Sequence, residues 1–141
     1  MEETLEKLEA RRRSLYQKLE AIGDFRRGTI SVNYRQCGKK NCICTKPGHP
    51  GHGPQYLWNT TLKGKSYAKN VKFGPELQKY IDEIGNYRHF LRLCEEVVQV
   101  SEKICDVRPV GEIEDQNERE ELKKKLQGLF KKRLRRKWTG S

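Results

Sequence analysis

Three cysteines and two histidines lie within the sixteen residues from Cys37 to His52. Their order is Cys37-x4-Cys42-x-Cys44-x4-His49-x2-His52. The whole segment from Cys37 to Pro54 is also rich in Gly and Pro, a composition typical of irregular backbone. Such a backbone must be held by something other than helix or sheet. Zinc takes four thiolate or imidazole ligands in a tetrahedron, so the segment predicts a structural zinc site.

Five candidate ligands compete for four positions around the predicted ion. The preferred set is Cys37, Cys42, Cys44 and His52, with His49 as the alternative imidazole. In a chain of 141 residues with a small core, such an ion can contribute on the order of 10 kcal/mol to folding. The competing interpretation is that the cysteines are reduced small hydrophobes and the histidines are exposed loop residues.

The charge is positive and unevenly distributed. The formal net charge is +11, which attracts polyanions and favours nucleic acid as a partner. From Phe25 to Pro75 there are ten basic residues and no Asp or Glu. A catalytic zinc needs an open position beside an acid or base, so the missing carboxylate predicts a structural ion and a protein that is not an enzyme.

The first two-thirds of the chain predict a helix followed by a small sheet. Apolar residues at steps of three and four from Glu2 to about Ile22 indicate an amphipathic helix, with Arg12 completing the pattern. The alternation from Ile30 to Arg35 indicates a half-buried strand. Two more strands are expected at residues 56–61 and 66–73, joined by a hairpin turn at Gly64. These elements predict a three-stranded antiparallel sheet.

A second helix is expected from Pro75 to about Cys105, long enough to pair antiparallel with the first. Its predicted apolar seam consists of Leu77, Ile81, Ile84, Tyr87, Leu91, Cys94 and Val98, and Cys94 and Cys105 are predicted to be core residues. After a linker at 106–111, residues 112–141 run from acidic to basic and predict an amphipathic helix. The fold class is therefore α+β, with a helix–sheet–helix domain at 1–105.

The predicted nucleic-acid surface is the sheet face away from the helix, with a second arm in the basic tail. Ser31, Asn33 and Arg35 should lie on that face, and Lys and Arg around it should hold phosphates. Tyr56, Trp58 and Tyr67 could stack on bases, although packing in the core is the commoner role. The predicted contacts are Arg26, Arg27, Arg35, Lys39, Lys40, Lys63, Lys65 and Lys69 in the sheet region and Lys131, Lys132, Arg133, Arg135, Arg136 and Lys137 in the tail.

The sequence is compatible with three kinds of partner. Duplex DNA is favoured, but phosphate contacts alone do not distinguish DNA from RNA, so an RNA-binding subunit of a ribonucleoprotein is an alternative. In a different class of function, the helices bind a larger protein, such as a recombinase or nuclease, or a second copy of this chain. No apolar run approaches the ~20 residues that span a bilayer, so no membrane is expected and the predicted location is cytoplasmic.

One part of the sequence resembles a known family. The elements are Arg35-x-Cys37-Gly38-x3-Cys42-x-Cys44, then His52-Gly53-Pro54-x-Tyr56, then a long helix with Asn86-Tyr87-Arg88-x-Phe90. Between about Gly28 and Glu96 the chain is similar to a family of small uncharacterised prokaryotic proteins, often encoded near transposases and other mobile elements. The resemblance implies that the three cysteines and His52 belong together, and that the protein is an accessory factor of such an element. The chain departs from the family's pattern at Gln55, where an aromatic is expected, and in carrying His49.

Overall fold

The structure is a computed structural model that describes residues 3–139, without the side chains of Lys132 and of residues 134–139. The predicted tail contacts Lys132, Arg135, Arg136 and Lys137 therefore lie outside the described side chains. Within the described range the fold is α+β, as predicted. Its elements are α1 (Leu5–Glu20), β1 (Thr29–Arg35), β2 (His52–Leu62), β3 (Lys65–Val71), α2 (Pro75–Val107) and α3 (Gln116–Thr139). The chain divides into two units, one ending at Val107 and the other beginning at Arg108.

Helix α1 is short, amphipathic and packed on α2. Thr4 caps its start, because the Thr4 hydroxyl accepts a hydrogen bond from the Lys7 backbone N–H at 3.3 Å. Leu8 and Leu15 are buried in a cluster with residues from the second half of α2. Arg12 donates to the Ser101 hydroxyl at 3.3 Å, whereas the chain just after α1 contacts the first half of α2. The two helices are therefore antiparallel, as predicted.

The apolar seam predicted for α2 is wrong in its second half. Leu91 and Val98 are about half exposed, at 48% and 47%, whereas Leu93 and Val100 are 4% and 2% exposed. Ile81 is also exposed, and Cys105 lies at the surface rather than in the core. The reason is that α2 packs against two different partners, the sheet at its start and α1 further on. A single repeat cannot describe a helix whose buried face changes with its partner.

Strand order in the sheet is β1-β2-β3, with both neighbouring pairs antiparallel. Lys63 and Gly64 form a two-residue turn between β2 and β3, both with positive φ, as a type I′ hairpin requires. Strand β2 begins at His52, four residues before the predicted start, because its pairing with β1 continues to Arg35 opposite His52. Residues 52–54, the end of the segment predicted to be irregular, therefore belong to strand β2.

One face of the sheet packs against the start of α2. Val71 is buried there with Leu77 and Tyr80 of α2, and Trp58 meets the Tyr80 ring edge-on with 5.6 Å between centroids. The residue pairs between the strands show which side chains lie on the opposite face of the sheet. It carries Thr29, Ser31, Asn33, Gln55, Leu57, Asn59, Thr61, Ser66, Ala68 and Asn70. None of these ten side chains is charged, and the predicted Arg35 follows Asn33 on the same face at the end of β1, beyond the last regular pair.

The second unit contains α3, which begins at Gln116 after an acidic approach. The Asp115 carboxylate accepts a hydrogen bond from the Asn117 backbone N–H at 3.0 Å, which supports the helix start. Leu122, Leu126, Leu129 and Phe130 recur at helical spacing as an apolar stripe, as the predicted amphipathic helix requires, and each is between 40% and 53% exposed. Among the helices of residues 3–139, none is long and apolar enough to cross a membrane.

Candidate metal centre and nucleic-acid interface

The cysteine-rich segment is an insertion in the β1–β2 connection. β1 ends at Arg35 and β2 begins at His52, so the sixteen residues between them leave and re-enter the sheet at one point. The register shifts between the Asn33 and Arg35 pairs, and the extra residue of this bulge is on β2. The pairing of Arg35 with His52 therefore holds the two ends of the loop together, and His52 lies close to Cys37, near the start of the loop.

Four of the five predicted ligands come together. The ligand atoms of Cys37, Cys42, Cys44 and His52 all lie within 4.8 Å of one another. The sulfurs of Cys37 and Cys44 are 3.6 Å apart, close to the ~3.7 Å between two sulfurs bound to one tetrahedral zinc. The Cys42 sulfur and His52 Nε2 are 2.9 Å apart, so this pair would separate by about 0.6 Å around such an ion. These residues could hold a metal ion.

Local hydrogen bonds shape the loop around the cluster. A 3₁₀ turn from Ile43 to Thr45 buries Cys44 completely, and the Thr45 hydroxyl donates to the Cys42 carbonyl at 2.7 Å. Gly51 has φ +103°, and a Cβ there would lie 3.0 Å from the Arg35 backbone. A side chain at Gly51 would therefore push apart the two ends of the loop, next to His52.

His49, the alternative imidazole, lies outside this group of four. Its Nδ1 accepts a hydrogen bond from the Gly51 backbone N–H at 3.0 Å, so the ring supports the turn that leads into β2. Sequence spacing could not separate the two histidines because each lies close to Cys44 along the chain. The strand register separates them, since it places His52 in the first pair of the β1–β2 ladder.

The environment divides the thiols by acidity. Hydrogen bonds from the Cys44 backbone and the Cys37 side chain, with a smaller one from His52, lower the pKa of Cys42 to about 6. A Cys37 backbone hydrogen bond favours the Cys44 thiolate, but burial and the neighbouring sulfurs outweigh it and raise the pKa of Cys44. Cys42 is thus a thiolate at neutral pH, which is the form that binds metals.

Alkylation of the reduced, metal-free protein provides a test of this acidity. The rate of Cys42 modification by iodoacetamide is expected to rise through pH 6, because its pKa in the fold is about 6. Since the pKa is lowered on folding, the corresponding stabilisation of the metal-free fold is lost as pH falls through 6. Mass spectrometry of Cys42 peptides measures the profile. In urea the midpoint should return to about 8.5. A folded-state midpoint at the urea value would contradict the assignment.

Two predicted phosphate contacts are engaged inside the fold. The Arg26 guanidinium lies 3.8 Å from the Tyr80 ring centroid, and its Nε is 3.0 Å from an oxygen of the buried Glu83. Lys69 donates to the Tyr80 hydroxyl at 3.1 Å, and this hydrogen bond lowers the pKa of Tyr80. Both cations hold α2 against the sheet. That geometry favours a structural role for Arg26 and Lys69, and their predicted nucleic-acid role stays a prediction.

The other predicted cations of the sheet region lie around its two ends. Lys39 and Lys40 are exposed in the loop of residues 36–51 that carries the three cysteines, called the metal loop below. Arg35 is the last residue of β1 before this loop. Lys63 and Lys65 are exposed at the opposite end, at the β2–β3 turn. Arg27 lies with them, because it borders a groove lined by Thr61 and Ser66. Within the described part of the chain, none of these six forms an ion pair.

Comparison with known proteins provides a family. The model of a domain of unknown function, DUF6788, matches residues 5–84, which is more than half of the chain. The chain belongs to this family. The DUF6788 match covers α1, the sheet, all four clustered ligands and the part of α2 that packs on the sheet. No curated protein and no solved structure matches the chain.

Proposed function

We propose that this DUF6788 protein binds nucleic acid, with duplex DNA preferred to RNA, through the sheet face opposite α2. The observation that carries the proposal is the distribution of charge on the sheet. Ten positions of this face are uncharged and eight of them carry a hydroxyl or carboxamide, while Lys and Arg lie at both ends. Uncharged hydrogen-bonding groups suit base edges, and cations suit phosphates.

The dimensions of the sheet support a duplex. Strand β2 has eleven residues, so at ~3.3 Å per residue it extends over roughly 35 Å. The cations of the metal loop and those of the β2–β3 turn lie at its two ends. This separation is close to one helical turn of DNA, about 34 Å. Both groups can therefore reach phosphates on the same side of a duplex while the sheet faces the groove between them.

In this proposal the Cys/His cluster is a structural zinc site. Three thiolates and one imidazole match the donors that zinc prefers, and the group of four includes no carboxylate or other oxygen donor. The four positions are filled by protein atoms, which leaves none for a substrate. Bound zinc would hold the metal loop and its lysines at the end of the sheet. The protein would then be a binding protein, not an enzyme.

Charge reversal at the β2–β3 turn tests the interface. Lys63→Glu with Lys65→Glu is expected to weaken binding to a 20-base-pair duplex at least tenfold, since two phosphate contacts become repulsive. If about six phosphates are contacted, log affinity should fall with log salt at a slope of about −5 before the change and less steeply after it. Fluorescence anisotropy across a salt series measures both quantities.

A matched control separates the turn from net charge. Arg92→Glu with Lys103→Glu changes the charge by the same amount on exposed positions of α2, and should affect affinity less than the turn variant. If the turn variant binds normally while removal of residues 123–141 abolishes binding, the interface lies in the tail. Tighter binding to duplex RNA than to DNA would contradict the preference for DNA.

A second function has its own support in the second unit. The exposed stripe Leu122, Leu126, Leu129 and Phe130 is a surface of the kind that binds a partner helix. In that case the protein is an adaptor that binds a larger protein, and its charge tethers the complex to nucleic acid. The resemblance to proteins encoded near mobile elements favours a recombinase or nuclease as that protein. Tight co-purification after nuclease treatment would favour the adaptor.

A further inference from the structure

Three carboxamide side chains cluster on the uncharged sheet face, near the metal loop. Asn33 of β1 lies directly opposite Gln55 of β2. Asn70 of β3 lies opposite Leu57, two residues along from Gln55 on the same face. Directly opposed residues have Cβ atoms about 5 Å apart and neighbouring strands are about 4.8 Å apart, so the three side chains occupy a patch about 10 Å across.

These carboxamides are available to a ligand. Gln55 and Asn70 are exposed and Asn33 is half-buried. Within residues 3–139 none of the three has a side-chain hydrogen bond or ion pair. Asn59, further along the same face, is different: its Nδ2 donates to the Ser31 hydroxyl at 2.9 Å and to the Leu57 carbonyl at 3.3 Å. The free carboxamides are therefore concentrated at one end of the face, whereas the other end carries the hydroxyls of Thr29, Thr61 and Ser66.

The chemistry of a carboxamide selects one base. Its NH₂ group donates to adenine N7 while its oxygen accepts from the adenine amino group, a bidentate pair available in the major groove. Guanine offers two acceptors at the same edge and is recognised by Arg or Lys; the ten positions of this face carry neither, and Arg35, the next position of β1 on the same face, lies at the end of the sheet among the cations assigned to phosphates. We propose that Asn33, Gln55 and Asn70 contact adenine in the major groove, so that the protein prefers A·T-rich duplex DNA.

This inference rests on the proposed DNA-binding function and makes it more specific. The major groove of B-form DNA is about 12 Å wide, which accommodates a patch about 10 Å across. The major groove of duplex RNA is deep and too narrow for side chains to read. The cations at the sheet ends bind phosphates of any sequence, so G·C-rich DNA should still bind, but more weakly.

The test compares two duplexes of equal length, one A·T-rich and one G·C-rich, by fluorescence anisotropy with the zinc-loaded protein of residues 1–141. We expect at least tenfold tighter binding to the A·T-rich duplex, since one bidentate base contact corresponds to roughly tenfold or more in discrimination. Replacing adenine by 7-deazaadenine removes the N7 acceptor and leaves base pairing intact. It should remove most of the preference.

Variants identify the side chains responsible. Asn33→Ala, Gln55→Ala and Asn70→Ala should each reduce the A·T preference severalfold, because each weakens binding to the A·T-rich duplex more than binding to the G·C-rich duplex. Ser66→Ala, on the same face at the other end of the sheet, is the matched control and should keep the preference. Thermal unfolding of each variant confirms that it folds, and a variant that does not fold is replaced by Asn→Ser or Gln→Ser at the same position.

The outcomes separate the two proposals. Equal affinity for both duplexes, or a preference that survives 7-deazaadenine, would overturn the adenine assignment while DNA binding itself stood. Tighter binding to duplex RNA of the A·U-rich sequence would overturn it as well. Absence of binding to every duplex at low salt would overturn the proposed function and the inference together.

Discussion

Protein purified without chelator is expected to contain one equivalent of zinc, and Cys42→Ser is expected to cause a large loss of stability. The four ligand atoms lie within 4.8 Å of one another, and the loop that carries them has little regular structure of its own. A bound structural zinc can contribute on the order of 10 kcal/mol to folding. Elemental analysis gives the zinc content, and thermal unfolding with and without chelator gives the stability.

Two controls accompany this measurement. Cys105→Ser removes an exposed thiol outside the cluster and should leave both zinc content and melting temperature unchanged. His49→Ala should keep the zinc, because its ring bonds to the Gly51 backbone, whereas His52→Ala should lose it. Less than half an equivalent of zinc, or a Cys42→Ser variant as stable as the parent, would count against a structural metal site.

The second large effect is expected on the buried face of α2. Leu93→Ala should lower the free energy of unfolding by about 2–5 kcal/mol, because Leu93 is buried against α1 with Leu8 and Leu15. Leu91→Ala, two residues away and 48% exposed, should cost less than about 1 kcal/mol. Urea denaturation of the two variants measures the difference directly.

Because Leu91 and Leu93 have the same side chain on the same helix, the comparison removes helix propensity as a variable. If the predicted seam through Leu91 were correct, Leu91→Ala would cause the larger loss of stability. The observed packing through Leu93 predicts the larger loss for Leu93→Ala. Equal losses for the two variants, or a greater loss for Leu91→Ala, would contradict the packing of α2 on α1.

The metal ligands could largely be predicted from residue type and clustering. Thiolates and imidazoles concentrated in a loop without helix or strand signals indicate a metal site wherever the backbone goes. The preference for His52 over His49 was predicted and is confirmed by the cluster, but residue spacing alone does not exclude His49. That exclusion depends on β2 extending back to His52, and the Gly and Pro residues beside His52 hide that extension from any alternation pattern.

The roles of individual cations also needed the tertiary structure. Arg26 and Arg27 are neighbours with the same side chain, so the sequence predicted the same phosphate-binding role for both. In the fold, Arg26 lies against Tyr80 and Glu83, while Arg27 is exposed and borders the groove at the turn end of the sheet. Nothing local distinguishes the two, because Tyr80 and Glu83 are more than fifty positions away in the chain.

The sequence by itself determined the elements, their order and the donor types of the loop, since amphipathic period, turn residues and ligand chemistry act over a few neighbouring residues. Only the tertiary structure decided which face of α2 is buried, that His49 stays outside the cluster of the cysteines and His52, and which ten uncharged side chains share one sheet face. Those properties depend on contacts between segments distant in the chain, and a local pattern carries no information about which distant segment will be the neighbour.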